Sequence, residues 1–350
     1  MGLWVEGLSV ARTACTPAHP APSWMGMPYR RITRHVVAPD GTRVAWHTHL
    51  GDLMEPAAEG VLRPRNTVLL TNGIGTSENF WRYIVTSLEQ DHRVVHWHYR
   101  GHGGSEESRS GDYSVGTHVG DLERVTEEVM ARGDGRPPHQ VAFSMGVRVL
   151  LELYRRRPDL VPGMTLIAGP PGAPGSGYEG LAEWAMLSTV REVFRVLTPA
   201  VPVATPVVRA VLGSRFAYPL ARAVGALRPR APRDDIDEFL YALRTMSPKA
   251  YWYTLRGLAE GHAWDVLPSV RVPTFIIAAR DDTLVPLREM IRMRDALPHA
   301  RWLQVDDAGH AGLLEAGTEI SDAVRSFLVN EHPRASERWS QVESLPSAPA

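Results

Sequence analysis

The chain has 350 residues, of which 44% are hydrophobic and 22% charged, with a formal net charge of −1. That length can bury a full α/β core and carry an insertion. The even charge balance gives no reason to expect nucleic acid or an anionic membrane as a partner. Cys15 is the only cysteine, which excludes an intrachain disulfide and fits a reducing cytoplasm.

Residues 1–28 read as a flexible tail, broken by Pro17, Pro20, Pro22 and Pro28. Met25 and Met27 are alternative starts. No signal peptide is expected, because a basic n-region is missing and Glu6 interrupts the apolar run; Glu6 also argues against myristoylation. Strands are predicted at 32–37, 43–47, 67–71, 93–99, 140–143, 164–168, 274–279 and 302–305, with Asp40-Gly41 as the turn of a first hairpin. Amphipathic helices are predicted over 115–131 and 147–156; in the second, Val147, Leu150, Leu151 and Tyr154 share a face. Asp121 and Glu123 read as complements to the dipole of the first of these helices, and Arg155-Arg156-Arg157 as a solvated helix end. A hairpin followed by alternating strands and helices predicts an α/β fold: a mostly parallel eight-stranded sheet with helices on both faces.

The alternation breaks across 176–264. This stretch reads as wholly helical and carries eleven of the chain's 27 aromatic residues, which serve either as its own core or as an apolar lid over a pocket. Its most apolar run, 196–208, contains Pro199, Pro202 and Pro206 and falls short of the about 20 residues that cross a membrane. The expected organisation is a tail at 1–28, a core built from 29–175 and 265–332, a helical cap at 176–264 and a C-terminal tail at 333–350.

Five segments carry chemistry. Ala142-Phe143-Ser144-Met145-Gly146 joins a predicted strand to a predicted helix. Small residues flank the serine, as a tight turn that lifts its oxygen out of the sheet demands. Leu70-Thr71-Asn72-Gly73-Ile74-Gly75, Tyr99-Arg100-Gly101-His102-Gly103-Gly104-Ser105, Ala279-Arg280-Asp281-Asp282-Thr283-Leu284-Val285-Pro286 and Asp306-Asp307-Ala308-Gly309-His310 each follow a strand. In this order they resemble the α/β-hydrolase family with a helical cap, over residues 30 to 332. The Arg-Gly-His-Gly-x-Ser run, the Asp-x-x-x-Pro ending and Val270-Arg271-Val272-Pro273-Thr274 are typical of that family. The resemblance implies a serine hydrolase acting on a carboxylic ester or related acyl bond of a small apolar substrate. Carbon–carbon bond hydrolases, lactonases and amidases of the fold use the same triad, and a non-catalytic binding protein is the reading from another class.

A serine hydroxyl needs a base to act as a nucleophile, and the base needs a carboxylate to orient it. Ser144, His310 and Asp282 fill these roles, in the chain order the fold requires. Asp281 is the local rival; adjacent residues point oppositely, so one of the two faces His310. Asp306 and Asp307 read as loop residues. The resemblance places the oxyanion-hole donors on the backbone N–H groups of Met145 and Ile74, although Asn72-Gly73 departs from the commoner His-Gly pair. His102 reads as a hydrogen-bonding residue of its loop. No cofactor is expected, and Gly73-x-Gly75 lacks the rest of a phosphate loop. His96 and His98 share one side of a strand, but without a third well-spaced ligand in the sequence no metal site is expected.

Overall fold

The computed structural model describes residues 31–49, 66–172, 192–193, 195–212, 216–219 and 230–342, with Ser188 and Ser214. The expected N-terminal tail and parts of the expected cap lie outside them. Eight strands form one sheet in the order β1-β2-β4-β3-β5-β6-β7-β8. They are β1 (Arg31–Val37), β2 (Arg43–His49), β3 (Thr67–Thr71), β4 (Arg93–Trp97), β5 (His139–Phe143), β6 (Met164–Ile167), β7 (Thr274–Ala279) and β8 (Arg301–Val305). β2 runs antiparallel to both β1 and β4, and every other pairing is parallel. The β1–β2 turn is the expected hairpin, with Gly41 at φ 81° and the Asp40 carboxylate accepting from Thr42 N at 3.0 Å.

The central parallel strands β5, β6 and β7 are buried along their whole length because both faces are covered. Val95 and Trp97 of β4 face a core shared with α2 (Val115–Ala131) and α3 (Met145–Arg156), while Val94 faces a second core. That second core includes Ile84, Val85 and Leu88 of α1 (Arg82–Leu88), and Ile320, Val324, Phe327 and Leu328 of the last helix. Ser114 caps α2, its hydroxyl accepting from Thr117 N.

Between β6 and β7 the described residues form α4 (Val201–Leu212), α5 (Arg233–Thr245) and α6 (Pro248–Leu258). Ser247 caps α6, with Pro248 in its first turn. After β7 come α7 (Leu287–Asp295), β8, the short α8 (Gly312–Glu315) and α9 (Gly317–Val342). The last helix runs past position 333, where the sequence suggests a tail. It continues to Val342. No helix among the described residues is long and apolar enough to cross a membrane.

Candidate active site

The strand order reverses at β3, which lies between β4 and β5. A crevice at the carboxyl ends of the strands forms at such a point. Ser144 follows β5 there, at φ 53° and ψ −122°. This backbone conformation costs a non-glycine residue about 1–3 kcal/mol, and its surroundings enforce it. A Cβ at Gly146 would lie 2.7 Å from the carbonyl oxygens of Thr71 and Asn72, and one at Gly169 would lie 2.2 Å from Ser144 O. The strand β3 and the loop after β6 thus press on the turn from both sides, and only glycine leaves room.

Ser144 Oγ stands 2.9 Å from His310 Nε2, and His310 Nδ1 stands 2.8 Å from Asp282 Oδ2. Three loops, after β5, β7 and β8, therefore converge on one line of hydrogen bonds. The Asp282 side chain is almost wholly buried, and its other oxygen accepts from Leu284 N at 2.9 Å and Val285 N at 2.8 Å. Of the two adjacent aspartates, Asp282 is the one that faces His310. The His310 ring packs on Phe143, with centroids 5.2 Å apart.

Glu315, which has no signal in the sequence, holds the histidine loop. Its buried carboxylate accepts from Gly309 N at 2.6 Å, through a turn that folds six residues back on themselves. Asp306 lies outside this arrangement and pairs with Arg280 at 2.5 Å.

The loop after β3 runs directly against the serine: a Cβ at Gly73 would lie 2.9 Å from Ser144 Cβ. Ile74 is half-buried beside it, and Met145 is the first residue of α3, where helix geometry leaves the N–H without an intrahelical acceptor. Asn72 turns its side chain inward. Its Nδ2 donates to Trp97 O at 2.9 Å, its Oδ1 accepts from Trp81 Nε1 at 2.7 Å, and its backbone oxygen accepts from Tyr99 OH at 2.7 Å. From the inserted helices, Leu243 of α5 and Tyr251 of α6 close on Gly75, where a Cβ would meet them at 2.8 and 2.9 Å.

Arg100 anchors the neighbouring loop. It makes two bonds to Asp121, at 2.6 and 2.9 Å, and a third to Asp40 at 2.6 Å. Burial works against its charge, yet the carboxylates of Asp121 and Asp40 raise its pKa above the usual arginine value. Asp121 is thus a buried ion-pair partner rather than a complement to the helix dipole: α2 begins at Val115, which moves Asp121 beyond the first turn. Glu123 likewise pairs with Arg156 and Arg157, at 3.3 and 2.9 Å, and the arginine run lies at the end of α3 with Arg155 and Arg156 exposed, as expected. His102 donates from Nδ1 to Arg100 O at 2.9 Å.

A family model described as alpha/beta hydrolase fold matches residues 66–201 and 218–317. The chain belongs to this family. Among curated relatives, one named carbamate hydrolase RutD, from Pseudomonas syringae pv. syringae, is 28% identical over 266 residues, 75% of this chain and 93% of the relative. Among solved structures of the same fold, the esterase EaEST from Exiguobacterium antarcticum superposes with a TM-score of 0.64 at 17% identity, covering 85% of this chain and all of the esterase. An enol-lactonase from Burkholderia xenovorans LB400 superposes with a TM-score of 0.60 at 18% identity, over 85% of this chain and 100% of the lactonase. The protein is therefore an enzyme of the alpha/beta hydrolase type.

Proposed function

We infer that this hydrolase cleaves a carboxylic ester of a small apolar substrate through an acyl-enzyme on Ser144. The line Ser144–His310–Asp282, at 2.9 and 2.8 Å, carries the reading. Ser144 Oγ attacks the substrate carbonyl carbon while its proton passes to His310 Nε2. Asp282, dry and held by two backbone N–H groups, fixes the imidazole tautomer and stabilises the imidazolium. The backbone N–H groups of Met145 and Ile74 take the charge that develops on the carbonyl oxygen. Collapse of the tetrahedral intermediate breaks the carbon–oxygen bond, and the leaving alcohol departs with the proton from His310. Water then enters by the same route, regenerating Ser144 and releasing the acid.

The helices of the insertion, 176–264, act as the cap. Leu243 and Tyr251, pressed on the oxyanion loop, are its contribution to an apolar acyl pocket. A second reading keeps the same residues but cleaves an acyl–nitrogen bond, and the relative named as a carbamate hydrolase favours it.

The test is turnover of p-nitrophenyl esters of graded chain length, beside carbamates, amides, lactones and diketones, with fluorophosphonate labelling. Ester hydrolysis and labelling in the wild type, both lost in Ser144→Ala, are expected. Carbamate or amide turnover without ester turnover would move the assignment to the second reading. A well-folded wild type that neither labels nor hydrolyses any of them would end both.

A further inference from the structure

Four metal-ligating side chains from three separated elements meet behind the oxyanion loop. They are His47 on β2, His96 on β4, His98 just after β4, and Glu78 on the short 3-10 helix Glu78–Trp81. One donor atom from each lies within 4.8 Å of all the others. The three histidines are at most 3% exposed.

The hydrogen-bonding pattern distinguishes this cluster from an ordinary buried polar network. His47 Nδ1 is bonded to Thr33 Oγ1 at 2.8 Å, while its Nε2, pointed at the cluster, has no hydrogen-bond partner among the described residues. His96 Nε2 lies 3.0 Å from Asn72 Nδ2 and 3.1 Å from Asn72 Oδ1, while its Nδ1 likewise has no hydrogen-bond partner among the described residues. Each ring is thus held on one nitrogen by a hydrogen bond, Thr33 to His47 and Asn72 to His96, while its other nitrogen is buried without a hydrogen-bond partner among the described residues. Metal-binding histidines are oriented in this way. His98 Nε2 lies 3.5 Å and His47 Nε2 3.7 Å from the same oxygen of Glu78. Arg31 bonds the other carboxylate oxygen, so Oε1 is the one turned to the imidazoles. Buried imidazole nitrogens without hydrogen-bond partners are costly to leave unmatched, and a cation held by one nitrogen of each ring offsets that cost.

We propose that His47, Glu78, His96 and His98 bind a divalent ion of the zinc class. Three imidazoles and one carboxylate form a donor set that suits zinc. A zinc tetrahedron with bonds of about 2.0–2.1 Å has edges of about 3.4 Å. The two Glu78–histidine separations are already close to this, and the widest pair closes by side-chain shifts on the order of an ångström. The site is distinct from the serine centre but mechanically joined to it. Asn72, at one end of the oxyanion loop, is bonded to His96, and Glu78, just past the other end, is itself a ligand. The ion pins both ends of residues 72–77. Gly103 is part of the design: any Cβ there would lie 2.4 Å from the His98 ring.

The test uses full-length protein without a histidine tag, stripped with a chelator and titrated with Zn²⁺. Bound metal is counted after gel filtration, and Co²⁺ serves as a spectroscopic stand-in. One Zn²⁺ per chain, a rise of several degrees in Tm with excess Zn²⁺, and intense visible Co²⁺ bands are expected. Affinity should fall at least tenfold in His98→Gln and in Glu78→Gln, and stay unchanged in Ser144→Ala. If His98→Gln does not fold, Glu78→Gln, at the more open edge of the cluster, carries the comparison. A wild type that retains no Zn²⁺, or a Glu78→Gln protein that binds with wild-type affinity, overturns the proposal.

Discussion

Asn72 and His96 meet at 3.0–3.1 Å inside the sheet, and this contact makes the loop beside Ser144 an extension of the core. The asparagine's remaining polar capacity goes to Trp81 and Trp97. Asn72→Ala strips partners from three buried groups at once, so a loss of about 2–4 kcal/mol is expected. Urea denaturation measures it; a variant within about 0.5 kcal/mol of wild type would mean that these bonds contribute little.

The turn after β5 holds Ser144, a non-glycine residue, at a positive φ. Ser144→Gly relieves the positive φ, whereas Ser144→Ala does not. Both variants should be inactive, but the glycine variant should be the more stable by about 1 kcal/mol. Equal melting temperatures for the two would show that the turn is not strained in this sense.

Asp282→Asn should lower kcat by about 10³–10⁴, because the amide cannot enforce the productive imidazole tautomer. Asp281→Asn, one residue away, should stay within a few-fold of wild type. Steady-state kinetics on any ester that the wild type turns over decides the matter, and comparable losses in both would contradict the geometry at His310.

The Arg100–Asp121 pair is buried on both sides. Asp121→Ala leaves the guanidinium without its main partner and should cost about 3–5 kcal/mol. Chemical denaturation of this variant beside a surface control, Glu127→Ala, supplies the measurement; similar midpoints would refute the expectation.

His118 is fully buried, and burial pushes its pKa down to about 3. Its unfolded value is near 6.5, so between these values the unfolded chain binds a proton that the native protein does not. Stability from this group is complete above pH 6.5 and is lost as the pH falls toward 3. His102, lowered to about 4 by burial, acts in the same sense. Glu238, raised to about 7 by burial and by Asp235, opposes them over the upper part of the range. A His118→Gln variant isolates one proton. Between pH 6 and 4.5 its stability should fall less steeply than that of wild type, by up to about 1.4 kcal/mol per pH unit. Parallel curves for the two proteins would rule out a neutral buried His118.

Much of this enzyme is legible locally. Strand runs, the Asp40-Gly41 turn and the amphipathic faces of α2 and α3 are periodic signals that need no partner to be recognised. Ser144 is visible because the turn's steric demand falls on its immediate neighbours, and Gly146 meets that demand within two residues. Asp121 was misjudged from the sequence because its partner lies 21 residues away and the start of α2 decides its depth. Glu315 gave no signal, since a carboxylate that bonds a backbone N–H leaves no pattern of side chains to detect.

The sequence by itself determined the order of elements and the residue types that can do acyl chemistry. Backbone sterics and hydrophobic periodicity act over a few residues and are written in the local string. The tertiary structure alone decided which aspartate faces His310, what Asn72 holds, and that His47 and Glu78 join His96 and His98. Those relationships depend on strand order and register, which bring together residues that no spacing rule connects.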